Sequence, residues 1–194
     1  MHCIDQLDNG GTMPWLSIAL TTLLLGACVM PAELNEASPY FIIPAGSRLI
    51  LNTELEIPPH RTTLFLQHGQ VLPYSQVNQY YPHCVFEVWA LSDQARIVRP
   101  DVFLIHKVRQ DILLSLIRRH KTLGLVPVSD DAPVSHRVYA NLIYLKSDRQ
   151  PDVYRLICQQ LEDVASLPRH VTLSEIRASL GTVFSLRLAG SATR

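Results

Sequence analysis

The sequence predicts a mainly-β protein: a single antiparallel β-sandwich or partly closed barrel with one short helix near the C-terminus. Three observations predict it. Apolar residues recur mostly with a period of two after residue 40. Thirteen prolines stand against eight glycines in 194 residues, which argues against a helical bundle. The clearest start and stop signals of a helix lie together at residues 172–181. A mixed α+β domain is the alternative.

Each element has its own justification. Residues 47–52 and 62–67 are strand-length runs separated by a breaker in which Pro58 and Pro59 stand side by side. In the run 83–90, Phe86, Val88 and Ala90 alternate with Val85, Glu87 and Trp89. Residues 101–109 give another strand, with Val102, Leu104 and His106 on one face. Residues 134–146 and 152–161 flank a hairpin connection that begins at Ser147 and ends at Pro151. Thr172 and Glu175 have the spacing of a capping box, Ile176 and Leu180 lie one turn apart, and Gly181 fits a C′ stop. Residues 183–188 form a last strand. The run 112–121 reads either as a short helix or as a strand continuing from Val108, and 118–133 reads as a mobile loop. No internal repeat appears at a period of roughly 20–50 residues.

Composition bounds the class. The chain has the length of one domain, two at most. Apolar residues make up 47% and charged residues 18%, so this is not a disordered tail. Seventeen basic residues balance seventeen acidic ones, which excludes bulk nucleic-acid binding.

No charged residue occurs from Asn9 to Ala32. Within that span an apolar run, residues 16–25, has the length of a signal-peptide core and is short for a membrane span. It ends in Leu25-Gly26-Ala27-Cys28. These residues resemble the lipobox of bacterial lipoproteins, in which the cysteine thiol takes a diacylglycerol and a peptidase cuts before it. The resemblance covers residues 13–28. It departs from the pattern in its n-region, which holds Asp5 and Asp8 and no Lys or Arg; a start at Met13 removes both. An uncleaved anchor or an ordinary secretory signal is the alternative. The resemblance implies a signal peptide over 1–27, a lipidated tether over 28–40 and a single periplasmic domain over 41–194. It also implies an acylated Cys28 carrying more than one chain, as stable anchoring requires. Val29 rather than Asp after the cysteine favours the outer membrane, facing the periplasm. The body shows a fainter resemblance to small uncharacterised proteobacterial lipoproteins, at residues 81–87 and 147–152, and that group implies no activity.

Cysteine count agrees with export. With Cys3 lost in the signal and Cys28 lipidated, Cys84 and Cys158 remain, and a pair in an oxidising compartment reads as one disulfide. Two buried thiols that never meet are the alternative.

Motifs for chemistry are absent from the sequence: no G-x-S-x-G, H-E-x-x-H, C-x-x-C or phosphate-binding glycine loop. The histidines His60, His68, His83, His106, His120, His136 and His170 show no i, i+2 or i, i+4 pairing, and His83 beside Cys84 is the least remote metal ligand. Nothing singles out a catalytic pair among Glu54, Glu56, Glu87, Asp101, Asp111 and Glu162. The expectation is therefore no enzyme, no metal and no cofactor. From 96 to 121, Arg96, Arg99, Lys107, Arg109, Arg118, Arg119 and Lys121 outnumber Asp101 and Asp111. They form a candidate patch for anionic headgroups, lipopolysaccharide or an acidic partner. Tyr74, Tyr80 and Tyr81 are a second surface candidate. The functional expectation is a non-enzymatic envelope lipoprotein, anchored by Cys28 and acting as an accessory subunit for an envelope protein partner. The alternatives are a ligand-binding module for glycan, lipid or peptidoglycan and, last, an envelope enzyme.

Overall fold

A computed structural model of the chain describes residues 35–117, 134–162 and 167–190. The signal segment, Cys28 and the first part of the tether lie outside the described residues, as do Arg118, Arg119, Lys121 and the loop 118–133.

The described residues are mainly β with one helix. Ten strands occur in chain order: β1 (Arg48–Leu51), β2 (Leu55–Ile57), β3 (Thr63–Gln67), β4 (Gln70–Leu72), β5 (His83–Val88), β6 (Arg96–Val98), β7 (Asp101–Ile117), β8 (Val134–Lys146), β9 (Val153–Leu161) and β10 (Phe184–Arg187). Helix α1 (Leu173–Leu180) precedes β10. Eight strands form one antiparallel sheet in the order β10-β1-β7-β8-β9-β5-β3-β4, which curls into a half-barrel; β2 and β6 make a separate ribbon. The run 112–117 is strand, so β7 continues unbroken through it and pairs with β8 as far as Ile117↔Val134.

Period-two burial explains the curl. Cys84, Phe86 and Val88 of β5 are buried on the inner face, as are Leu64 and Leu66 of β3, Leu156 and Cys158 of β9, and Leu49 and Leu51 of β1. A flat sheet would hold β5 and β10 about 24 Å apart, five strand spacings. Instead the Phe86 and Phe184 rings meet at 5.4 Å, and Phe86 lies 6.3 Å from Phe103. Burying that face requires the two ends of the sheet to approach, and α1 fills the remaining gap. It packs on β10 at one edge and on β3 and β5 near the other, contributing Leu173, Ile176 and Leu180 to the core. Leu55, Ile57 and Val98 of the ribbon join the same core.

The helix begins as its sequence predicts. The Glu175 amide donates to Thr172 Oγ1 at 3.3 Å and the Thr172 amide donates to Glu175 Oε2 at 2.9 Å. At its end Gly181 has φ 55°, and there the helix crosses the β3–β4 turn, where His68 and Gly69 have the two positive φ values of a tight hairpin. A Cβ on Gly181 would stand 2.3 Å from Gly69 Cα, so this contact admits only glycine.

Cys84 and Cys158 are bonded, with Cα atoms 4.1 Å apart at directly opposed positions of β5 and β9. This matches the close, non-hydrogen-bonded type of antiparallel pair. Residues 35–40 lie against the body: Glu36 pairs with Arg177, and Gln110 Nε2 donates to the Pro39 carbonyl at 3.0 Å. No helix among the described residues is long and apolar enough to cross a membrane.

Two outcomes follow for stability. Replacing Cys84 and Cys158 together by Ala lowers unfolding free energy by about 4 kcal/mol in denaturant titrations, the chain-entropy value for a loop of this size. Reductant on the unaltered protein gives a loss of similar size. Gly181→Ala costs at least about 1–3 kcal/mol from the backbone conformation alone, read in the same titration.

Candidate functional site

The outer face of the sheet is not uniformly polar. Two β-bulges interrupt its ladders at the same end. On β7 the register passes from Ile105↔Leu145 to Lys107↔Tyr144, leaving His106 extra. On β9 it passes from Glu87↔Arg155 to Val88↔Val153, leaving Tyr154 extra. Each bulge lets two consecutive side chains face outward, in both cases an aromatic ring followed by a cation: His106 with Lys107, and Tyr154 with Arg155. Tyr144 of β8 lies between them.

The result is a row of four rings. Centroids are 6.2 Å apart for His106 and Tyr144, 5.7 Å for Tyr144 and Tyr154, and 3.6 Å for Tyr154 and Trp89, the last pair stacked at 27°. Lys107 Nζ lies 5.5 Å from the Tyr144 centroid and the Arg155 guanidinium 4.7 Å from that of Tyr154. Arg155 is also bonded to Glu87 Oε2, so its position is fixed from both sides. Trp89 closes the row and is 62% exposed.

A cleft of about 370 Å³ adjoins the row, lined by Trp89 and His106, by Leu145 and Lys146 at the end of β8, by Val153 of β9, and by Ser147, Asp148 and Pro151 of the turn between those strands. That turn is clamped by Asp101, which is 7% exposed at the start of β7. Its carboxylate accepts from Ser147 Oγ at 2.7 Å, Arg149 Nε at 3.0 Å, Gln150 Nε2 at 3.1 Å and the Val102 amide at 2.7 Å. Burial pushes the Asp101 pKa up, but these bonds, Arg149 foremost, outweigh it and hold the carboxyl well below the usual carboxylate range. Gln150 also exchanges two bonds of 2.9 Å with the backbone of Arg99.

The residues singled out from sequence fall in different places. Arg96 and Arg99 belong to β6 and the connection after it, and Arg96 Nη2 donates to the Ala90 carbonyl at 2.7 Å. Lys107 and Arg109 share the outer face of β7, where Arg109 pairs with Asp111 at 2.7 Å. Among the described members of the predicted patch, only Lys107 joins the ring row. Tyr74 packs its ring 5.2 Å from Phe65. Tyr80 and Tyr81 instead line a smaller cleft of about 290 Å³ at the other end of the sheet, with Tyr139, Gln160, Arg169 and Glu175. Arg169 holds the Glu175 carboxyl down at about 2, against the effect of burial.

Several of the titratable groups singled out from sequence are committed to structure. His83 is buried, and burial lowers its pKa against the opposing bond to the Tyr81 carbonyl. Its Nδ1 faces that carbonyl at 3.0 Å and its Nε2 faces Gln159 Nε2 at 3.3 Å, which fits a neutral ring donating from Nδ1. Glu87, Asp101, Asp111 and Glu162 each face an arginine rather than another carboxylate. No group of three or more His, Cys, Asp or Glu residues among the described residues is arranged to hold a metal ion.

The ring row escaped the sequence reading, because it is assembled from β7, β8, β9 and the residue that follows β5, through two bulges. One local signal was available: Trp89 lies in the half of the 83–90 alternation that also contains Glu87, the solvent half. No protein-family model matches the chain, and no curated protein or solved structure matches it significantly.

Asp101→Asn tests the clamp. It costs about 1–3 kcal/mol, the usual loss when a buried, charge-assisted acceptor is weakened. Because the folded carboxyl titrates below its unfolded value near about 4, its stabilisation is present above that value and is lost as pH falls below it. The unaltered protein therefore loses stability between about pH 4 and 2 faster than Asp101→Asn does, measured by thermal melts across that range.

Proposed function

We propose that this chain is a non-enzymatic lipoprotein of the bacterial envelope, anchored by an acylated Cys28 and acting as an accessory subunit that presents its β domain to a protein partner. The Leu25-Gly26-Ala27-Cys28 sequence supports the anchor. The Cys84–Cys158 bond supports an oxidising compartment. Placement at the outer membrane, facing the periplasm, rests on Val29.

One observation carries the interaction reading. β1 pairs with β7 only from Asp101 to Leu104, so from residue 106 to 117 the outer edge of β7 bears no strand among the described residues. Along that edge Ile112 is 51% and Leu114 72% exposed, side by side on one face. A free edge with apolar side chains is what a partner strand adds to, its backbone supplying hydrogen bonds and its side chains covering Ile112 and Leu114. Solvent alone would favour charges there. A second reading, a ligand-binding module, is favoured by the ring row.

The test places a photo-crosslinking residue at Leu114 and recovers the acylated protein from envelopes in mild detergent. One stoichiometric protein is captured through position 114, and it is lost in an Ile112→Asp/Leu114→Asp variant that retains its disulfide and melting behaviour. A monomer that crosslinks to nothing at this position contradicts the reading.

A further inference from the structure

We infer that the ring row and its adjoining cleft form a binding site for a pyranose glycan, with the sugar stacked on the open face of Trp89 and its hydroxyls bonded by Asp148 and Lys146. This rests on the second reading above, a ligand-binding module, and names its ligand.

The geometry narrows the ligand stepwise. Tyr154 covers one face of the Trp89 indole at 3.6 Å, yet the residue stays 62% exposed, so the other face is open. Trp89 is fixed from behind by that stack and by its amide, which donates to the Asp152 carbonyl at 2.9 Å. A rigid, flat apolar surface therefore stands at the wall of a mixed cleft, whose polar groups are His106, Lys146, Ser147 and Asp148. Lys146 and Asp148 are exposed there, and neither side chain has a hydrogen-bond or ion-pair partner among the described residues. Ser147 between them is committed to Asp101, which holds the turn in place.

Four ligand classes use aromatic platforms, and three fit poorly. A quaternary ammonium needs free ring faces in a negative field, whereas Lys107 and Arg155 already lie over Tyr144 and Tyr154. A proline-rich helix needs a slot between rings, and the 3.6 Å stack of Trp89 on Tyr154 leaves none. A single-stranded nucleic acid needs a basic groove for its phosphates, but Asp148 stands at the cleft and the chain has no net charge. A pyranose has one face of C–H groups to lay on the indole and equatorial hydroxyls at its rim. A carboxylate accepts from two adjacent hydroxyls, and an ammonium donates to a third oxygen. This matches the open face, Asp148 and Lys146.

The chain has two tryptophans, Trp15 and Trp89. In a Trp15→Phe background Trp89 is the only one, whatever happens at Cys28, so its emission reports on the site directly. The full chain is titrated with a β-1,4-linked N-acetylglucosamine tetramer, a β-1,4-linked glucose tetramer, a proline-rich decapeptide and an oligothymidylate. At least one tetrasaccharide produces a saturable emission change, and calorimetry finds its binding weakened about tenfold or more in Trp89→Ala. Asp148→Asn weakens it severalfold without moving the melting temperature. A change with the peptide or the oligonucleotide and with neither sugar overturns the glycan assignment while leaving a ligand-binding face. Silence of Trp89 in all four arms overturns both. Sugar binding undiminished in Trp89→Ala moves the site elsewhere and overturns the inference.

Discussion

The meeting of Phe86 with Phe184 across the mouth of the sheet is the constraint on which the fold depends. Those residues belong to strands five places apart in the ladder order, and only a curled sheet brings their rings to 5.4 Å. Once curled, the sheet encloses an apolar trough that α1 fits, and α1 in turn touches both ends of the sheet. The disulfide works within this frame by fixing β5 to β9, and the Gly69–Gly181 crossing lets the helix end approach the β3–β4 turn. Loss of any of these contacts opens the same trough. Their effects should therefore couple rather than add.

Curling also determines what the outer face can do. The two bulges lie at one end of the sheet, and each gives up one ladder position to turn a ring and a cation outward. Tyr144 and Arg155 sit on strands laddered on both sides, and β7 is laddered to β8 beside His106 and Lys107, so most of the row rests on regular sheet. β7 meanwhile outruns β1, so that among the described residues no strand pairs with that edge of the strand carrying His106 and Lys107. Two surfaces of different chemistry thus arise from one strand: a polar-aromatic face and an apolar edge, the bases of the two proposed roles.

Local chemistry was legible in the sequence, and long-range register was not. Thr172 and Glu175 announce the helix because a capping box needs only residues three apart, and Gly181 announces its end. The alternation around Phe86 separates buried Phe86 and Val88 from outward Glu87 and Trp89, although Val85 is also buried and Ala90 exposed, and the pair of cysteines left in the body announces the bond that joins β5 to β9. The run 112–117 stayed undecided between helix and strand because an almost wholly apolar segment fits either period; pairing with β8 decides it. The ribbon of β2 and β6 is too short to signal itself. The ring row was invisible because it depends on which residue each bulge leaves unpaired. Attention went instead to Tyr74, Tyr80 and Tyr81, which are close in sequence but divide between a packing contact with Phe65 and a separate cleft. The basic run likewise looked like one patch, whereas Arg96 and Arg109 bind local acceptors and only Lys107 meets the row.

The proposed exported, lipid-tethered domain draws on three features: a disulfide inside the sheet, an aromatic row on its outer face, and a cysteine after an apolar segment of the sequence. The most direct test is the intact mass of the protein purified from bacterial envelopes without reductant, and again after reduction and alkylation. The account predicts a chain that starts at Cys28 and carries acyl groups, with two further cysteines open to alkylation only after reduction. A full-length chain with free thiols at Cys84 and Cys158 would contradict it.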